Sequence, residues 1–156
     1  MRLLWLCALI VFVIDQVGKY AVVIGMDLRG RGAIDILPPY LNFRMAWNRG
    51  VNFGLFAHDA EVMRWVLVAV ALAISAWVVL WMARDRHSRP ALVSAGVLVG
   101  GALGNAIDRV VFGAVADFLN VSCCGIRNPF SFNVADIAIF AGAIGLILFT
   151  GRKNTP

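Results

Sequence analysis

The chain has 156 residues, of which 61% are hydrophobic and only 15% charged, with a mean hydropathy of +0.82. A soluble domain is only about half apolar, so the composition excludes an ordinary soluble fold and points to one integral membrane domain over 1–156. The formal charge of +5 sits in short flanks beside apolar runs and forms no stripe, which argues against nucleic acid as a partner.

Four apolar stretches approach the ~20 residues that a helix needs to cross a bilayer: 3–24, 62–83, 90–111 and 133–150. The first is interrupted by Asp15 and Lys19 and is followed by no small-residue cleavage site, so it reads as a retained anchor rather than a leader. Cys7 lies inside this run behind the large Trp5 and Leu6, and is expected to be a core residue, not a lipid attachment site. Residues 25–61 form a long connection. Pro38 and Pro39 exclude a helix there, and short strands are predicted at 41–47 and 51–56, joined around Asn48, Arg49 and Gly50.

Arg84, Arg86 and Arg89 fill the tight connection between the second and third spans. Arg2 precedes the first span, and Arg152 and Lys153 follow the fourth. With an even number of spans these basic flanks share one side, expected to be the cytoplasm. Arg29, Arg31, Arg44, Arg49 and Arg127 lie on the other side over longer segments, so the bias is modest. The third span carries Gly96, Gly100 and Gly104 at four-residue spacing. That spacing suits close helix packing, and a smooth face of this kind could also admit a substrate helix. Cys123 and Cys124 fall in the second outer connection, far in sequence from His58 and His87, and are expected to be incidental thiols without a metal.

Ionisable groups inside a span cost at least ~2.5 kcal/mol near the helix centre and are functional candidates by default. At ~1.5 Å per residue, Asp15 lies roughly 18 Å beyond Leu3, and Asn105 and Asp108 about 22 and 27 Å beyond Pro90. Asp117 follows the end of the third span and Asp136 opens the fourth. All five are thus expected at one level in the outer part of the membrane. Asp15 and Lys19 are four apart and suit a structural ion pair. Asn105, Asp108 and Arg109 share a helical face; Asp108 and Arg109 could pair, leaving the Asn105 amide for a substrate carbonyl. Asp117 and Asp136 flank one loop. Two close carboxylates share a proton and can act as base and acid together, although each could equally cap or anchor a helix end. From the residues alone, proton relay in a small transporter and a purely structural role both remain open.

Four blocks carry a resemblance to a known family: DQVGK (15–19), NRGVNFG (48–54), GGALGNAIDRVVFGAVADF (100–118) and FNVADIAIF (132–140). In this order and on these spans they resemble the bacterial lipoprotein signal peptidase, or type II signal peptidase, an intramembrane aspartyl protease family. The resemblance implies an all-α membrane fold of four transmembrane helices with a small extracytoplasmic β-sheet cradle between the first two. It implies cleavage of diacylglyceryl-modified prolipoproteins before the lipidated cysteine, at the outer face of the cytoplasmic membrane. Asp117 and Asp136 match the catalytic aspartates. Asn48, Gly50, Asn105, Arg109 and Asn133 match positions around the substrate and around peptide-like antibiotic inhibitors such as globomycin. Asp15, Lys19 and Asp108 match supporting polar positions. Membrane lipid is an implied partner, and no metal or organic cofactor is implied.

Overall fold

The structure, a computed structural model, describes residues 1–50, 60–125 and 128–150. The strand expected at 51–56, together with His58, Arg127, Arg152 and Lys153, lies outside the described residues. Helix α1 (Arg2–Lys19) continues as a π-helical turn (Tyr20–Gly25) and a short helix α2 (Leu28–Arg31). Strands β1 (Ala33–Leu37) and β2 (Leu41–Asn48) follow, then helices α3 (Ala60–Arg84) and α4 (Arg89–Phe112), strand β3 (Val115–Val121) and helix α5 (Val134–Thr150). Three helical segments are long and apolar enough to cross a membrane, namely Arg2–Gly25, Glu61–Arg84 and Arg89–Phe112, and α5 is a shorter apolar helix. In lipid every backbone polar group must bond internally, so uninterrupted apolar runs have little choice but the helix.

Helix α4 is the central one, packed against α1, α3 and α5. Ser88 caps its start, the Oγ accepting from Ala91 N at 3.4 Å, and Gly113 ends it in the left-handed region at φ 78°. The glycine stripe is spent on α1. A Cβ on Gly96 would strike Leu4 O, one on Gly100 would meet Ala8 O at 2.5 Å, and one on Gly104 would meet Asp15 Oδ2 at 2.6 Å. Close packing is therefore its role, and this face is not open to a substrate helix. Gly101, one position round, brings α4 against Ala135 O of α5. Leu4, Ala8, Val78, Met82, Ala95, Leu98, Val99 and Leu146 close the core at the end of the bundle away from the sheet. Outward faces are apolar: Ile147 is 75% exposed and Phe140 70%. Such surfaces belong in lipid.

The sheet is antiparallel in the order β1-β2-β3. It is not confined to the connection between the first two helices, as the sequence suggested. Its third strand comes from the segment after α4, which reads as a loop because Val115, Ala116, Asp117 and Phe118 are all buried and show no alternation. Beyond β3 the chain turns back, and Phe132 exchanges hydrogen bonds with Leu119 at 2.8 and 2.9 Å. This return stations the start of α5 beside β3. Asn120 ties the turn down by donating to Asn128 O and Phe130 O at 2.9 and 2.8 Å. Cys123 and Cys124 are joined to each other as a disulfide within this turn, which corrects the expectation of two incidental thiols.

Candidate active site

Two groups of polar side chains meet where α1, α4, β3 and α5 converge. The first is held by a cation. Lys19 Nζ donates to Asp15 Oδ2 and Asp108 Oδ2, both at 2.7 Å, with all three side chains buried. The Asp15–Lys19 pair is thus present as its spacing predicted. The partner of Asp108 is Lys19 and not Arg109: a helix turns ~100° per residue, so neighbours on α4 point apart, whereas α1 approaches Asp108 directly. Gln16 bridges the two acids, its Nε2 donating to Asp15 Oδ2 at 3.1 Å and Asp108 Oδ1 at 3.0 Å. The remaining lone pairs accept backbone N–H groups. Asp15 Oδ1 takes that of Ala135 at 2.9 Å, at the positive start of α5, and Asp108 Oδ2 takes that of Ala116 at 3.3 Å.

The second group contains Asp117 and Asp136, and its donors are neutral. Asn133 and Asp136 form a reciprocal cap at the start of α5: Asp136 N donates to Asn133 Oδ1 at 2.9 Å and Asn133 N to Asp136 Oδ2 at 3.2 Å. The Asn133 amide is left pointing the other way, where Nδ2 donates to Asp117 Oδ1 at 2.6 Å and Asn105 Oδ1 at 3.1 Å. Asn133 is fully buried and bonded to both aspartates. Asn48 Nδ2 donates to Asp117 Oδ2 at 3.1 Å, and Asn48 Oδ1 accepts from Gly50 N at 3.0 Å. Gly50 sits at φ 98°, a conformation that favours glycine, and a Cβ there would meet Leu67 Cδ1 at 2.6 Å.

Asn105 joins the two groups. Its Nδ2 donates to Asp136 Oδ1 at 2.8 Å, while its Oδ1 accepts from Asn133 and, at 3.4 Å, from Lys19. The amide expected to be free for substrate is therefore committed to Asp136. Arg109 Nη1 donates to Asn105 O at 3.2 Å, within the half-buried rim. All ten residues singled out in the sequence converge here, either in these two groups or bonded to them. Gln16 and Asn120 were not singled out; an amide next to Asp15 inside an apolar span was the available signal for Gln16.

Asp117 lies on β3, beyond the end of α4. Burial, and then the nearby charge of Asp136, push its carboxyl up to about 6, against the pull of the Asn48 and Asn133 hydrogen bonds and of Lys19. A carboxyl that holds its proton up to about 6, beside a second, half-exposed carboxyl, can give and take protons in one event. Among the described residues no group of three or more His, Cys, Asp or Glu could hold a metal ion.

Apolar spans, a small sheet over one end of the bundle and two carboxylates held by one asparagine define a membrane-embedded protein with an acid pair. The family model for signal peptidase (SPase) II matches residues 7–151. A lipoprotein signal peptidase of Methylorubrum extorquens (strain PA1) is 46% identical over 135 residues, covering 86% of this chain and 77% of that one. One from Methylobacterium radiotolerans is 44% identical over 153 residues, covering 96% and 88%. A solved structure described as a bacterial membrane enzyme, determined by the in meso method at 1.9 Å resolution, superposes with a TM-score of 0.78. It is 30% identical, with 96% of this chain and 92% of that one covered. The chain belongs to the signal peptidase II family. It is accordingly a membrane protease that removes signal peptides.

Proposed function

We propose that Asp117 and Asp136 are the catalytic pair with which this peptidase removes signal peptides from diacylglyceryl-modified prolipoproteins. The observation that carries the reading is Asn133, whose backbone and side-chain atoms hold both carboxylates through neutral donors. Asp117, with its raised pKa, holds the proton and polarises the carbonyl of the residue before the lipidated cysteine. Asp136, half-exposed, takes a proton from water as the water oxygen attacks the carbonyl carbon. The carbonyl oxygen receives the Asp117 proton. When the tetrahedral diol collapses, the C–N bond breaks, the leaving amine takes the proton from Asp136, and a diol hydroxyl returns one to Asp117. Asn48, Gly50, Asn105, Arg109 and Asn133 line the approach of the peptide and of peptide-like inhibitors such as globomycin. Asp15, Lys19 and Asp108 support them from below.

Helix α5 serves as a fourth span, within a single domain over 1–156. At ~1.5 Å per residue its 17 residues cover about 26 Å, near the ~30 Å hydrocarbon core. Both termini lie in the cytoplasm and the sheet lies outside, against the bacterial inner membrane. The basic connection at Arg84, Arg86 and Arg89 supports this orientation. Outside labelling of single cysteines tests it: a cysteine at 48 is expected to react and one at 86 to be protected, and the reverse pattern overturns the orientation. The chemistry is tested with purified protein and a lipid-modified prolipoprotein peptide. Cleavage before the modified cysteine is expected, with loss of turnover in both Asp117→Asn and Asp136→Asn; substantial turnover in either variant overturns the pair.

A further inference from the structure

The sheet has a second face that the peptidase chemistry does not use. Side chains alternate along a strand, so Asn48 and Asp117 point to the dyad while their neighbours Trp47 and Ala116, paired across β2 and β3, point the opposite way. Two cavities adjoin on that far side. One, of about 300 Å³, is walled mainly by Tyr20, Val23, Ile24, Trp47, Phe112 and Ala116, also touches Gln16 and Lys19 of the first acid group, and is predominantly apolar. The other, of about 450 Å³, is basic: Arg29, Arg49 and Arg64 line it against the single carboxylate of Glu61. Arg29, Trp47 and Phe112 belong to both cavities, and the Trp47 and Phe112 rings, 5.9 Å apart, mark the boundary between them.

The position of the basic cavity matters as much as its charge. Arg29 follows the first helical segment, Glu61 and Arg64 open α3, and Phe112 and Gly113 end α4. The cavity therefore sits at the common end of three apolar helices, at the level of lipid headgroups. Arg64 is anchored there by donating from Nη2 to Val110 O at 2.7 Å, at the carboxyl end of α4, with its guanidinium 4.9 Å from the Trp65 ring. A guanidinium has five donors, so most of Arg64 is left for a ligand. Arginine fits phosphate geometry with paired N–H donors, and basic pockets between helices at the membrane surface suit anionic headgroups.

We propose that these contiguous cavities bind one anionic phospholipid, its phosphodiester against Arg29, Arg49 and Arg64 and an acyl chain between the π-helical turn and the Trp47–Phe112 wall. A polar anion pocket continuous with an apolar slot is the shape of a single amphiphile, and neither a free ion nor a neutral lipid uses both. Bound there, the lipid fills the back of the strand pair that carries Asn48 and Asp117. The inference rests on the membrane placement of the chain and not on the aspartate pair.

Delipidated protein in detergent is offered phosphatidylglycerol, phosphatidylcholine and diacylglycerol separately, and retention is read by native mass spectrometry. Wild type is expected to retain phosphatidylglycerol at least about tenfold better than phosphatidylcholine, which has the same phosphodiester but whose choline cation is set against Arg29, Arg49 and Arg64. The double variant Arg29→Gln/Arg64→Gln is expected to lose about tenfold of that retention, with diacylglycerol retention unchanged. Arg29→Lys/Arg64→Lys, which keeps the charge, is expected to retain most of it. Equal retention of the two phospholipids by wild type overturns the proposal, as does undiminished phosphatidylglycerol binding in a folded Gln variant. Displacement of the lipid by millimolar inorganic phosphate, with no contribution from the chains, overturns it in favour of a free-anion site. Should the Gln variant not fold, discrimination by wild type decides alone. Cleavage of a lipid-modified peptide by the same sample separates failure of this site from failure of the peptidase reading.

Discussion

The two acid groups at the end of the bundle contain the same kind of side chain and differ in what faces it. Asp15 and Asp108 share Lys19, with Gln16 and two backbone N–H groups filling their remaining lone pairs. Among the described residues no cation lies at hydrogen-bond distance from Asp117 or Asp136; Asn48, Asn105 and Asn133 serve them instead. A lysine that bridges two carboxylates fixes them in place, which is useful for joining α1 to α4 and poor for moving protons. Neutral amides orient a carboxylate without committing it to one protonation state. Burial disfavours charge, so Asp117 holds its proton up to about 6. On the proposed reading, support and chemistry are separated by the charge of the donors, with Asn105 as the residue the two groups share.

Replacing members of the second pair is the most severe way to test that separation. Asp117→Asn and Asp136→Asn are each expected to lower turnover by roughly 10²–10⁴-fold, because an amide keeps the shape and cannot exchange the proton. The double variant is expected to be little worse than either, since groups acting as one unit are not additive. Turnover per folded molecule for the three variants is the measurement. Independent, multiplying losses that follow protein abundance would return both aspartates to a structural role.

The first pair predicts the opposite pattern, with stability falling and chemistry largely retained by whatever folds. Lys19→Ala leaves two buried carboxylates without their cation and is expected to cost about 3–5 kcal/mol. Thermal unfolding in detergent reads the loss. Neutralising the acids as well, in Asp15→Asn/Lys19→Met/Asp108→Asn, is expected to recover much of it. A Lys19→Ala protein as stable as wild type would remove the distinction drawn above.

How far the sequence foretold these groups depends on the range of the interaction. The helices were legible because an apolar run long enough to cross a bilayer has one economical backbone solution. Asp15 and Lys19 were legible because both partners lie on one helix at a fixed spacing, and so was the Gly96, Gly100 and Gly104 stripe. Strand β3 was not, because a strand buried on both faces has no period, and its register is set by a distant strand, β2, where Ala46 faces Asp117 and Asn48 faces Val115. The lone pairs of Asp108 could not be assigned to Lys19 from α4 alone, nor could the Asn105 amide be seen to face Asp136. The bond between the adjacent Cys123 and Cys124 was not foreseen either, because adjacency alone does not distinguish two thiols from a disulfide. Family resemblance named the dyad; the division of labour around it required the donors.

Asn133 stands on both sides of the comparison and is expected to show an intermediate effect. Asn133→Ala removes a helix cap, worth about 1 kcal/mol, together with the 2.6 Å bond to Asp117. Asn133→Asp preserves a capping oxygen but sets a third carboxyl beside the pair. If Asn133 orients the dyad, the Ala variant loses turnover well beyond its loss of stability, and the Asp variant remains capped but inactive. Equal turnover per folded molecule in Asn133→Ala would confine the residue to capping.

The smallest effect concerns the proton itself. Asp117 is raised first by burial and second by Asp136, so deleting the second cause without the first should lower its titration only in part. In wild type the pair carries its working proton below about 6 and sheds it above, so the free-enzyme rate profile is expected to turn down as pH rises through that region. In Asp136→Asn, with a neutral group in place of the neighbouring carboxylate, the Asp117 carboxyl is expected to titrate at lower pH while staying above the usual carboxylate range. Carboxyl-stretch infrared difference spectra of Asp117, assigned with Asp117→Asn, would follow the shift without relying on residual activity. The sign matters for stability too. A carboxyl whose folded pKa lies above its unfolded value stabilises the fold fully below the unfolded value, near 3.8, and that contribution is lost as pH rises towards about 6. Asp136→Asn should therefore lose less stability than wild type between those two pH values. An unchanged Asp117 titration in Asp136→Asn would mean that the two carboxyls do not sense one another, and the chemical half of the comparison would fail with it.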